Sequence, residues 1–423
     1  MPPAGPLALG VDLGSSGLRL AVVARCGERL AESVSPYPRP FNDPAGWQEG
    51  LIGLVSRLPG ELRQSIAALA LDGTSGTLLL CRQDGSRPDG LLGRALPYHQ
   101  AYPEQAVQAH SIAGCGPAAG GSGSLARALH LLEAADQAGE TGPWLLRHQA
   151  DWLMGWLLGD WSWGEEGNNL RLGWDPSSQR WLGGITAQPW AAGLPRIAAS
   201  GTILGRLTAA AAAMLGLPAG CRVVAGSTDA NAGVLAADPR PGDGVTVLGT
   251  TLVLKQWSPA PLRGPGVSSH RIGGRWLVGG AANAGAGVLR QFFSDDQLAE
   301  LSRQIDPSQP SGLQLRPLPG RGERFPIDDP DLEPILGPRP VSDARFLQAL
   351  LEGLARHEAA GWAQLERLGA PPIRRLITIG GGARNPQWRA IRQRLLSLPV
   401  LNRPGLSAAL GMARLAASAL PPP

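Results

Sequence analysis

The chain has 423 residues, 43% hydrophobic and 17% charged, with a formal net charge of +4, enough to bury the cores of two or three globular domains. No Lys/Arg run marks a nucleic-acid or membrane patch, no apolar run reaches membrane-spanning length, and the four scattered cysteines form no CxxC pair, which argues against structural zinc and a disulfide scaffold. Lys255 is the only lysine and lies in an apolar run, so neither a Walker A loop nor a protein-kinase strand lysine is available for handling ATP.

From the N-terminus, Leu7–Val23 reads as two β-rich runs joined by Gly14-Ser15-Ser16-Gly17, a hairpin with Asp12 entering the turn from a buried strand. Glycines let backbone approach closely, and consecutive N–H groups with two hydroxyls can face an anion. A carboxylate beside such a turn suits a divalent cation or a substrate hydroxyl between them. Ser35–Glu49 is expected to be a Pro-rich loop that presents Trp47, and Leu51–Leu69 a helix broken at Pro59-Gly60. Ala68–Arg82 reads as strand, turn, strand, with Thr74, Ser75 and Thr77 on the turn; Leu125–Ala135 and Trp144–Leu158 read as helices. Arg222–Ala237 reads as a strand, a polar turn carrying Asp229, and a small-residue helix. As an N-cap alone, Asp229 would stabilise that helix by about 1 kcal/mol. Residues 238–243 read as a linker between domains 1–240 and 241–423.

The second half repeats the opening design. Val245–Trp257 is an apolar run, a Gly249-Thr250-Thr251 turn and a second apolar run, which suggests an internal duplication at domain scale. Gly279–Phe293 reads as a turn entering a helix, and Phe346–Leu368 as an amphipathic helix. Arg375–Val400 runs from a strand into Gly380-Gly381-Gly382-Ala383-Arg384-Asn385-Pro386-Gln387-Trp388 and a helix. The glycines permit approach to a flat ligand, Asn385 offers amide hydrogen bonds, and Trp388 a stacking face. Ala408–Ala417 reads as a final helix.

The paired turns resemble the phosphate loops of the actin/Hsp70/hexokinase superfamily. Gly46-Trp47-Gln48-Glu49, the Asp229 segment, the triple-glycine segment and Ala408–Ala417 resemble motifs of its FGGY carbohydrate-kinase branch. The resemblance implies two ribonuclease H-like α/β domains with a catalytic cleft between them. It implies Asp229 as general base, and Asp12, Trp47, Ser75 and Asp229 as sugar contacts. Gly14, Ser15, Ser16, Gly249, Thr250, Thr251, Gly381, Gly382, Asn385 and Trp388 would bind the nucleotide, with ATP and Mg2+ as cofactors and Asp12 holding the metal through water. Where larger members carry Trp-x-Asp-x-Arg, this chain has Leu96-Pro97-Tyr98-His99-Gln100. That departure and the short length resemble the plant and cyanobacterial D-ribulose kinases. D-xylulose, glycerol or another polyol is the alternative acceptor, and a non-catalytic sugar- or nucleotide-binding relative with weak ATPase activity the alternative class. A cytoplasmic monomer or homodimer, without nucleic-acid or membrane partners, is expected.

Overall fold

The computed structural model describes residues 5–421, which form two compact α/β units. The first comprises the chain up to Ala236 together with Arg271–Gly274 and the segment from Ser407; the second comprises Ala237–His270 and Arg275–Leu406. The expected boundary at 240 therefore differs at the C-terminal end. Ala408–Ala417 forms a helix, as anticipated, but it packs on the sheet of the first unit. Its apolar, small-residue surface explains the docking: a Cβ on Gly10 would lie 2.0 Å from Ala409 O, and one on Gly411 1.8 Å from Ala232 O.

In the first unit, strands β1 (Leu7–Gly14), β2 (Gly17–Val23) and β3 (Arg29–Ser35) form an antiparallel meander. Strand β4 (Ile66–Gly73) lies parallel to β1, and Arg222–Thr228 lies parallel to β4. Ile203–Arg206 closes the far edge. The second unit follows the same plan. Asp243–Leu248 and Leu252–Ser258 form its hairpin, Arg275–Ala281 extends the antiparallel side, and Arg375–Ile379 and Val400–Asn402 add parallel strands. The duplication read from the two hairpins thus extends to whole sheets.

Several elements differ from their sequence reading. Pro44–Glu49 is the start of helix α1 (Pro44–Ser56) and not a loop: Asp43 caps it by accepting from Ala45 N, and Pro44 occupies its first turn. The helical reading of Leu51–Leu69 ends early. Gly60–Ser65 is a separate short helix, and β4 begins at Ile66. Trp144–Leu158 divides into a strand, Leu145–His148, and a helix, Gln149–Leu158. Gly279 and Gly280 lie within a strand, where Cβ atoms would meet Leu254 O at 1.8 Å and the Phe325 ring at 2.5 Å.

Each unit has its own apolar core. In the second, a buried polar cluster crosses from helix to sheet. Arg392 pairs with Glu358 at 2.6 Å and donates to Thr378, while Thr246 donates to Glu358. Thr246 and Thr378 are register partners on parallel strands, so the cluster ties two helices to the strands that carry the glycine turns.

Candidate functional site

Parallel strands end on the same side of a sheet, and open α/β sheets place ligands at those carboxyl ends. In the first unit, register aligns Asp12 with Asp72 and Asp72 with Ser227. The Gly14–Gly17 turn, the turn after Gly73 and the start of the Asp229–Ala236 helix therefore share one end of the sheet. Ser15 and Ser16 are exposed, and Ser75 is half-buried. Asp12 is buried, with Oδ2 accepting from Arg19 Nη1 at 3.0 Å.

Asp229 lies at the first position of its helix, where its Oδ1 accepts from its neighbour's amide, Ala230 N, at 2.8 Å. Water reaches this side chain, as a substrate must. The protein mass packed around it nevertheless pushes its pKa up to about 6, with the Asp12 charge adding to burial and Arg171 and the Ala230 amide opposing them. The group stays mostly ionised at neutral pH and close enough to titration to take a proton.

Asp72 went unnoticed in the sequence. Its side chain is wholly buried, and neither oxygen receives an N–H or O–H hydrogen bond. Burial, and then the Asp12 and Asp229 charges, hold it well above the usual carboxylate range. Arg19 was also missed, although hairpin arithmetic exposes it: folding the chain at Ser15-Ser16 sets position 19 opposite Asp12. For Asp72 the only signal was a second strand ending in Asp-Gly, because parallel pairing is not written in local sequence.

Trp47 is a correction. It is fully buried, with Nε1 donating to Phe41 O at 2.7 Å and the ring against Phe41 and Trp152. As a core residue of α1 it offers no face to a sugar.

In the second unit, Asp243–Leu248 and Arg375–Ile379 run parallel, so the Gly249-Thr250-Thr251 turn and the triple-glycine loop share an end of that sheet. Thr250 is exposed and Thr251 half-buried. Gly380 adopts φ +86°, and a Cβ there would lie 2.7 Å from Leu248 O. Gly381 faces open space, whereas a Cβ on Gly382 would strike Leu248 and the Trp388 ring, each at 2.7 Å. Trp388 is therefore a second correction: only 2% exposed, it packs beneath the loop and supports it instead of presenting a stacking face. Asn385 caps the following helix through Trp388 N and donates to Ser302 Oγ, so both ends of its amide are engaged inside the protein.

Residues 244–420 match the C-terminal domain of the FGGY family of carbohydrate kinases. The match begins at the second hairpin and runs through the final helix, so it includes the helix that completes the first sheet. L-fuculokinase of Escherichia coli K12 is 26% identical over 230 residues, 49% of this chain and 45% of that protein. The chain thus spans about half the length of the curated relatives it matches. Among solved structures, a xylulose kinase from Brucella ovis superposes with a TM-score of 0.82 at 22% identity, covering 98% of this chain and 91% of that one. Plasmodium falciparum glycerol kinase with ADP gives 0.78 at 14% identity, covering 97% and 89%. At these identities the likeness is one of fold: two α/β domains of the actin/hexokinase type, as FGGY kinases have.

Proposed function

We propose that this chain is an ATP-dependent sugar kinase that phosphorylates a pentulose, D-ribulose first among candidates. The observation that carries the reading is Asp229, a solvent-accessible carboxylate with its pKa raised to about 6, at the same sheet end as Asp12 and a hydroxyl-rich turn. Asp229 takes the proton of the attacking sugar hydroxyl, and Asp12 with Ser75 orients the sugar. Ser15, Ser16, Thr250 and Thr251 hold phosphate oxygens, and the Gly381-Gly382 loop receives the adenosine. In-line phosphoryl transfer demands mainly placement and charge neutralisation from the protein. The absent Trp-x-Asp-x-Arg segment and the resemblance to the short ribulose kinases favour D-ribulose, while the ketose and glycerol kinases among the relatives define the comparison sugars.

The chain's donors fit Mg2+ of a particular kind. The buried Asp12 carboxylate at the end of β1, beside the hydroxyl-rich turn, suits an ion that keeps several waters and takes one or two carboxylates besides substrate phosphates. Asp12 would hold it, and when bound it neutralises phosphate charge.

The test is ADP release over D-ribulose, D-xylulose, L-fuculose and glycerol, with Asp229→Asn alongside. A positioned base contributes roughly 10²–10⁴-fold, so kcat with the best sugar should fall by that factor while the melting temperature holds. Near-wild-type turnover in a folded variant would reduce Asp229 to a helix cap.

A further inference from the structure

Between the two turns of the first unit runs a buried hydrogen-bond relay that the reaction scheme above does not use. Thr77 Oγ1 accepts from Tyr98 N at 3.1 Å and lies 2.6 Å from Thr74 Oγ1. Thr74 donates to Gln149 Oε1 from both N (3.1 Å) and Oγ1 (2.8 Å). Gln149 Nε2 donates to Tyr37 Oη at 3.4 Å, the longest link, and Tyr37 Oη donates to Gly14 O at 2.8 Å. Thr74, Thr77 and Gln149 are buried.

Proton counting fixes the direction of every link. An amide oxygen only accepts, so Thr74 spends its hydroxyl proton on Gln149, and Thr77 must donate to Thr74. The Thr74 N–H facing Oε1 sets which end of the Gln149 amide points which way. The Gly14 carbonyl also only accepts, so Tyr37 donates to it and receives from Gln149. All bonds run from Tyr98 N–H to Gly14 C=O, the arrangement in which successive bonds polarise and strengthen one another.

The far end matters because a trans peptide is planar, with its C=O and N–H pointing in opposite directions. Pinning Gly14 C=O to Tyr37 aims Ser15 N–H the other way, as an anion-binding turn requires. The near end holds Thr74, the neighbour of Ser75. We propose that Tyr37 and Gln149 are positioning residues that lock the Gly14–Ser15 peptide and the Ser75 turn into one mutual geometry. What the two turns bind rests on the sugar-kinase reading; the coupling itself does not.

Hydrogen exchange on the unliganded full-length protein separates the two. Losing a hydrogen bond of ordinary strength corresponds to about fivefold faster opening. Tyr37→Phe keeps the ring against Phe41 and should speed exchange about fivefold in Gly14–Gly17. Through the relay it should do the same in residues 74–77, which lie beyond Gln149 in the chain of bonds. Gln149→Met, or Gln149→Leu should the first not fold, should loosen both turns, and Tyr37→Phe added to it should bring no further change. Exchange within Ile66–Leu71 should rise no more than the small fall in melting temperature accounts for, whereas a general loss of stability would speed it as much as the turns. Loosening of Gly14–Gly17 alone in Tyr37→Phe, or multiplicative effects in the double variant, would overturn the relay. In the active enzyme Tyr37→Phe should change sugar KM and kcat together. Coupled exchange without phosphorylation of any sugar would leave the relay standing and remove the kinase reading instead.

Discussion

Two titrating side chains set separate pH signatures, one on rate and one on stability. On the sugar-kinase reading, Asp229 would act as a base only when ionised, and burial raises its pKa to about 6. Below that pH the reaction should slow about tenfold per pH unit, and Asp229→Asn should lose that acid limb along with its rate. Lys255 acts on stability. It is 4% exposed, donates to Ser268 Oγ at 2.9 Å, and burial alone pushes its pKa down to about 7. The unfolded chain keeps this proton to about pH 10.4, so between 7 and 10 the unfolded state binds more protons, and stability rises with pH across that window. Lys255→Met should remove this rise and stabilise the protein at pH 7 by a few kcal/mol, on the order of the shift. Thermal melts of both proteins from pH 7 to 9 check it; parallel curves would show that Lys255 is not the group responsible.

At the scale of elements, sequence patterning located the paired hairpins, the strand and helix around Asp229, the triple-glycine loop and the last helix. Those features depend on local signals such as alternation, glycine turns and caps. It failed where burial decides. Trp47 and Trp388 both read as ligand platforms because an indole suits stacking and packing equally well; only the fold shows one against Trp152 and the other beneath Gly382. The turn after β4 was found, but its carboxylate was not, because Asp72 gains its meaning from the strands on either side. The burial of Trp388 decides what its loss should do. Trp388→Ala should act first on stability, by about 3–5 kcal/mol for a large buried side chain, with the ATP KM following from the collapsed loop. A variant with unchanged melting temperature and a raised KM would return Trp388 to the ligand.

At the scale of the molecule, the first unit is discontinuous in sequence. The helix Ala408–Ala417 lies on its sheet, with Arg414 Nη1 donating to Ala236 O and Arg222 Nη1 to Ala419 O. Gly10 and Gly411 leave no room for a methyl group. Gly10→Ala should therefore lower stability by about 3 kcal/mol through overpacking, measured by denaturant unfolding; a neutral result would mean that the helix can lift without cost. The same arrangement orders events on the ribosome. Residues 1–236 emerge early, yet the helix that covers their sheet follows only after residues 237–406 have been made. At about 5–20 residues per second this is a wait of roughly 10–30 s, during which the face of β1 that carries Gly10 lacks this helix. Nascent chains arrested before Ser407 should thus be cut readily by protease within the first unit, and chains arrested far enough beyond residue 423 to clear the exit tunnel should not.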